Sequence, residues 1–228
     1  MNEPIQILNA DCMALMADVP DGYFDWAIVD PQYGINIGKN TTYGKRRKIY
    51  CITVYKRSGW DLERPTAGYW TELFRVSRNQ VVFGANYFVE HLPVSGGWFF
   101  WDKAQPEGST YGKGEFVFTS VDAPAKIARV SIFKYGKGNI SNNVRMAAAN
   151  ARIHQTQKPV ELYEWVYANY VKTAGVRVLD THLGSGTHAV AAMRHNVSEF
   201  VGCEIDTEMY NKSLKLIANK TKQLRMEL

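Results

Sequence analysis

The run Val-Arg-Val-Leu-Asp-Thr-His-Leu-Gly-Ser-Gly-Thr-His at residues 176–188 limits the fold more tightly than any other segment. It reads as a buried strand that ends in Asp180, passes through a glycine turn and opens a helix. Gly184 and Gly186 let the backbone approach a ligand, and the helix beyond them offers N–H donors without intrahelical partners. Short apolar runs ending at turn or acidic residues recur at 5–8, 26–30, 80–84, 98–101, 116–120, 129–133, 176–180 and 200–205. Segments with helical apolar spacing lie between several of them, at 65–76, 159–172, 186–195 and 206–224. The mixture predicts an α/β fold with a doubly wound, mostly parallel sheet.

With 228 residues, 46% of them hydrophobic, the chain can bury one substantial core, so a single domain spanning 1–228 is expected. Residues 39–64 form a basic, polar insertion and residues 134–152 a second polar stretch; both read as loops carried on the sheet. Nothing approaches the roughly twenty apolar residues of a membrane helix. The opening Met1-Asn2-Glu3-Pro4 lacks the pattern of an export signal, so a cytoplasmic protein is expected. Cys12, Cys51 and Cys203 are too scattered for a disulfide framework or a paired-cysteine metal site. His91, His182, His188 and His195 have no metal-ligand spacing either, so no metal is assigned. A formal charge of +5 suits a polyanionic partner without requiring one.

A second acid, Glu204, ends the strand after the glycine turn, and its spacing suits a carboxylate that binds both hydroxyls of a ribose. Position 189 is Ala, so the dinucleotide Gly-x-Gly-x-x-Gly pattern fails, and no Gly-Lys-Ser/Thr is present to hold a phosphate chain. A nucleoside-type ligand without pyrophosphate fits best. Two further segments carry chemistry. Residues 24–34 read Phe-Asp-Trp-Ala-Ile-Val-Asp-Pro-Gln-Tyr-Gly, a buried strand that delivers Asp30, Pro31, Gln32 and Tyr33 to its carboxyl end. Residues 153–163 read Ile-His-Gln-Thr-Gln-Lys-Pro-Val-Glu-Leu-Tyr, with Pro159 at the favoured first position of a helix.

These three segments resemble, in turn, the Asp-x-x-x-Gly-x-Gly-Thr, Asp-Pro-Pro-Tyr and His-x-Thr-Gln-Lys-Pro motifs of the DNA amino-methyltransferases. Their order along the chain resembles the circularly permuted β group of that family. The resemblance implies a Rossmann-like S-adenosylmethionine-dependent methyltransferase fold, with an antiparallel strand near one sheet edge that the Phe116 to Phe133 region can supply. It implies S-adenosylmethionine as cofactor and double-stranded DNA as partner, with the target base swung out of the helix. Asp30, Pro31 and Tyr33 are then the catalytic set. Asp30 and the Pro31 carbonyl accept hydrogen bonds from the target NH2, and Tyr33 stacks on the base. Gln32 replaces the family's second proline and is a candidate for touching the substrate.

The cofactor set implied by resemblance is Asp11, His154, Thr156, Gln157, Lys158, Asp180, Leu183, Gly184, Ser185, Gly186, Thr187 and Glu204. Asp11 falls at the adenine end, and Lys158 is the counter-ion of the methionine carboxylate. Lys45, Arg46, Arg47 and Lys48 are candidates for phosphate contacts, and residues 134–152 occupy the family's target-recognition position. Asp at position 30, where N4-cytosine enzymes more usually carry Ser, favours adenine N6 as the methyl acceptor. N4 of cytosine and a catalytically inactive DNA-binding relative are the alternatives. Members often pair as homodimers. They act in bacteria or phages, in restriction-modification systems or as orphan enzymes.

Overall fold

A computed structural model describes residues 4–35, 61–105, 112–131 and 157–226. Within them the strands are β1 (Ile5–Leu8), β2 (Phe24–Val29), β3 (Ser77–Phe83), β4 (Trp98–Asp102), β5 (Gly114–Thr119), β6 (Lys126–Arg129), β7 (Arg177–Asp180) and β8 (Glu199–Cys203). The helices are α1 (Cys12–Ala17), α2 (Ala67–Val76), α3 (Val160–Val166), α4 (Thr187–Arg194) and α5 (Thr207–Met226).

The strands form one sheet in the order β1-β8-β7-β2-β3-β5-β4-β6. All neighbours pair in parallel except at β5, which runs antiparallel to both β3 and β4. The expected mostly parallel, doubly wound architecture is therefore observed, and β5 is the antiparallel strand expected from Phe116 onward.

Alternation along the central strands explains why they read as unbroken apolar runs. Trp26 and Ile28 of β2, Val81 and Phe83 of β3 and Val178 of β7 point to one face, where α3 and α4 cover them. Ala27, Val29, Val82 and Leu179 point to the other, against α1 and α2. A parallel sheet covered on both sides needs apolar residues at every position, which removes the period-two signal. Ile28, Val29, Val81, Val82, Val178 and Leu179 are all fully buried. In α5, Ile217 packs onto this core, whereas Leu214 stays 37% exposed. Among the described residues no helix is long and apolar enough to cross a membrane.

Three boundaries differ from the sequence reading. Strand β3 starts at Ser77, directly out of α2, because the Ser77 hydroxyl donates to the Leu73 carbonyl 2.6 Å away and closes the helix without a loop. Strand β6 lies at Lys126–Arg129, ahead of the apolar run read at 129–133; pairing with β4 sets its position, and as a sheet-edge strand it leaves Ile127 63% exposed. The helix read across 159–172 is α-helical only to Val166, then widens into a π turn over Tyr167–Val171 and stops at Lys172, whose φ is +60°.

The chain order makes the site. From β2 the chain passes through α2 to β3 on one side, and from β7 it passes through α4 to β8 on the other. The connections therefore diverge between β2 and β7, and in open α/β sheets ligands bind at the carboxyl ends of the strands where the order reverses.

Candidate active site

Asp30 and Pro31 leave the end of β2, and two tight turns fix the backbone around the residues beyond them. Gly34 has φ +70° and donates its N–H to an Asp61 carboxylate oxygen at 2.9 Å. Gly84, after β3, has φ +63°, and a Cβ there would overlap the Tyr33 ring. Glycine is thus needed at position 84 both for its backbone angle and for its missing side chain. The Tyr33 ring lies flat on Tyr87, centroids 5.0 Å apart at 16°, with Phe88 edge-on at 6.1 Å.

Around Asp30 the structure assembles a half-buried ionic cluster from four parts of the chain, with Lys158 at its centre. The Tyr33 hydroxyl donates to Asp30 Oδ1 at 2.7 Å. The Lys158 ammonium pairs with Asp30 Oδ2 and lies 3.5 Å from Glu115 Oε2. Glu115 Oε1 pairs with Lys103 Nζ at 2.7 Å, and Glu115 Oε2 is 3.3 Å from the Tyr33 hydroxyl. Lys158 is only 4% exposed and its Nζ lies 4.9 Å from the centre of the Phe83 ring.

Desolvation and mutual charge shift four members of this cluster, Asp30, Tyr33, Glu115 and Lys158. Burial is the largest influence on Asp30 and pushes it above the usual carboxylate range, with Glu115 adding to the rise and Lys158 opposing it. Burial also acts to raise Glu115, but Lys158 and Lys103 outweigh it and hold Glu115 low. For Lys158, burial acts downward, and the two carboxylates reverse it to leave the ammonium above its ordinary value. Burial, then the Asp30 charge, drives Tyr33 well upward, so it stays a neutral donor.

The second half of the crevice is the loop after β7. Asp180, 2% exposed, accepts from the His182 N–H at 3.0 Å on one oxygen and faces His188 Nδ1 at 2.8 Å on the other. His188, from α4, is clamped by a flat stack on Tyr163 at 4.5 Å and by the Tyr167 hydroxyl 3.1 Å from its Nε2. Burial depresses His182 to about 4, leaving it neutral. Gly184 has φ +54°, a Cβ there would meet only the His182 carbonyl oxygen at 3.9 Å, and its N–H donates to Glu204 Oε2 at 2.9 Å. At Gly186, φ +80°, a side chain would press on Ser213 and Ile217 of α5. Leu183 and Ser185 are buried within the turn, as is Thr187 at the start of α4. Across the switch point, Tyr69 of α2 bonds the Thr181 hydroxyl at 2.7 Å, tying the β2 side of the crevice to the β7 side.

Several expected roles acquire different partners. Asp11 caps α1, accepting from the N–H groups of Met13 at 2.7 Å and Ala14 at 3.3 Å. Lys158, expected as a counter-ion for a methionine carboxylate, is engaged by Asp30 and Glu115. Tyr33, expected to stack on a base, is stacked on Tyr87. Gln32 is half-buried beside the cluster, and Gln157 lies directly ahead of Lys158. Lys45, Arg46, Arg47, Lys48, His154, Thr156 and the 134–152 segment fall outside the described residues.

Sequence reasoning missed Glu115, Lys103 and His188 as site residues. For Glu115 a signal existed: in Gly-Glu-Phe-Val-Phe-Thr it shares a strand face with Val117 and Thr119, both fully buried. A carboxylate on an inward face requires a cation, and Lys103 and Lys158 are those cations.

Open α/β topology, carboxylates at the ends of β2, β7 and β8, and a glycine turn at the switch point define the architecture of S-adenosylmethionine-dependent methyltransferases. A DNA methylase family model grouping N6 and N4 enzymes matches residues 60–215, and the chain belongs to that family. The match contains Lys158, Asp180 and Glu204, while the Asp30 segment precedes it. Among solved structures, the M1.HpyAVI–SAM complex is 20% identical, with TM-score 0.55 over 93% of this chain and 99% of that one. A putative DNA modification methylase from Thermus thermophilus, complexed with S-adenosyl-L-methionine, is 14% identical, with TM-score 0.54 over 96% of each chain. The cytosine-N4-specific PvuII DNA methyltransferase is 11% identical, with TM-score 0.55 over 98% of this chain and 93% of that one. No curated protein sequence matches.

Proposed function

We propose that this DNA methylase transfers a methyl group from S-adenosylmethionine to the exocyclic N6 of adenine in double-stranded DNA, on a base swung out of the helix. The observation that carries the reading is the half-buried Asp30 at the end of β2, paired with Lys158 and Tyr33 on the switch point and across from the Asp180 loop. Its aspartate, where a serine is more usual for cytosine N4, favours adenine.

The donors and acceptors present fit the cofactor. Glu204, at the end of β8, suits the ribose hydroxyls, and the side-chain-free backbone at Gly184 lets a ligand approach the turn. Asp180, Leu183, Ser185, Gly186 and Thr187 complete that wall. Asp11 is assigned to the adenine end, and His154, Thr156 and Gln157 to the methionine end, while Lys158 is committed to Asp30 and Glu115. Bound there, S-adenosylmethionine supplies an electrophilic methyl on a sulfonium.

The chain's own residues do the rest. An aromatic amine is a poor nucleophile because its lone pair is delocalised into the ring. Asp30 and the Pro31 carbonyl accept hydrogen bonds from the NH2 and favour the pyramidal nitrogen that can attack. The Asp30 charge then stabilises the positive charge that develops on nitrogen. Tyr33 and Tyr87 give the base an aromatic floor, with Gln32 beside it. Lys45, Arg46, Arg47 and Lys48 neutralise phosphates, which makes binding fall steeply with salt.

The test is to incubate the protein with S-adenosylmethionine and unmethylated genomic DNA, digest to nucleosides and identify the product by mass spectrometry. N6-methyldeoxyadenosine is expected. N4-methyldeoxycytidine would overturn the base assignment and leave the transfer reading standing. No methylated base despite cofactor binding would identify a catalytically inactive relative.

A further inference from the structure

In the described structure, both oxygens of Asp30 already hold donors before any amine arrives. Tyr33 takes Oδ1 at 2.7 Å and Lys158 takes Oδ2. Lys158 places a cationic N–H donor where the target NH2 must donate, so the amine has to displace it. A buried ammonium cannot be released into an apolar site without a partner. Its surroundings include the rings of Phe83 and Trp101, 4.9 and 6.0 Å from Nζ. One other carboxylate is in reach among its described partners: Glu115 Oε2, 3.5 Å away. Glu115 is itself fixed from behind by Lys103 at 2.7 Å, so it cannot swing in to compete for the base.

We propose that Glu115 is a positioning residue of methyl transfer: it takes over Lys158 when the target amine occupies that ammonium's place on Asp30. The exchange keeps Lys158 paired throughout and leaves one Asp30 oxygen open to the amine. The proposal rests on the methyl-transfer reading and adds a residue to it. The titratable and charged groups that bear on Asp30 are Tyr33 beyond β2, Glu115 on β5 and Lys158 ahead of α3, with Lys103 behind Glu115. Tyr163 on α3 lies within the same field, as does Asp180 at the end of β7.

The test measures kcat and KM for methyl transfer to unmethylated DNA across a pH series, for wild type, Glu115→Gln, Glu115→Asp and Lys103→Met, with folding checked by circular dichroism. Glu115→Gln is expected to lower kcat by roughly tenfold or more while leaving the KM for S-adenosylmethionine within about twofold, the pattern of an interaction used in the transfer step. Glu115→Asp restores part of the rate. Removing the Glu115 charge takes a like charge away from Asp30, so the acid limb of the profile moves to lower pH. Lys103→Met leaves Glu115 less neutralised and moves the same limb to higher pH, which carries the test if Glu115→Gln fails to fold. A Glu115→Gln enzyme with wild-type kcat would overturn the proposal. So would equal losses in Gln and Asp variants with unmoved limbs, which indicate packing alone. No transfer by the wild type would sink the functional reading and this proposal with it, whereas active wild type with indifferent variants sinks only the role of Glu115.

Discussion

Gly84 shows how a residue remote in sequence fixes the chemistry at Asp30. Its φ of +63° and the Tyr33 ring against its α-carbon leave no room for a side chain. Gly84→Ala is expected to destabilise the fold by about 1–3 kcal/mol in urea titration, since it combines backbone strain with a clash. It should also lower methyl transfer by moving the Tyr33 hydroxyl off Asp30. Retained stability with full activity would show that Tyr33 has another resting place. Residues are legible in the sequence where chemistry is local. Asp30, Lys158 and Asp180 stand in short motifs whose residue types announce proton donors and acceptors. Their partners are not legible. Lys158 and Asp30 meet only because β2 and the segment before α3 converge across the sheet, and the helix-capping use of Asp11 depends on backbone angles that composition does not report.

At the scale of elements, the link between α2 and the β7 loop bears the most on the crevice. Tyr69 and Thr181 are both buried, and their hydroxyls bond at 2.7 Å. Tyr69→Phe leaves the Thr181 hydroxyl with one partner fewer in a desolvated place, so a loss of about 1 kcal/mol is expected. The same change should raise the KM for S-adenosylmethionine more than it lowers kcat, because the loop it loosens is the proposed cofactor wall and carries no group of the Asp30 cluster. An effect on kcat alone would contradict that division. The central strands are readable from their apolar runs, and so is β5, whose antiparallel direction only the family resemblance implies. The ends of β3, β6 and α3 escape a reading of sequence. For β3 and β6 the cause is pairing and capping: Ser77 closes a helix with its own hydroxyl, and β6 takes its register from β4.

For the whole molecule, the sheet order turns three distant carboxylates into one working edge, and it also determines the pH response. Asp30 is half-buried and desolvation weakens its acidity, so the ionised form is lost as pH falls at values above the ordinary carboxylate range. The transfer rate is therefore expected to drop on the acid side earlier than a solvent-exposed aspartate would allow, as checked by kcat against pH at saturating cofactor. A rate flat down to the ordinary aspartate range would mean that Asp30 is not the acceptor for the amine. The linked effect on folding has the opposite sense. A carboxyl group with a raised folded-state value stabilises the fold below its unfolded value, and that contribution is lost as pH rises through the folded one.

The direct test compares wild type with Asp30→Asn for incorporation of labelled methyl groups from S-adenosylmethionine into unmethylated genomic DNA. Cofactor occupancy is matched beforehand by calorimetry. If Asp30 holds the target amine, incorporation falls by roughly 10²–10³ while cofactor affinity stays within a few-fold of wild type, the size of loss typical when one preorganised electrostatic group is removed. Incorporation by Asp30→Asn at the wild-type rate would contradict the assignment of the end of β2 as the methyl-acceptor seat.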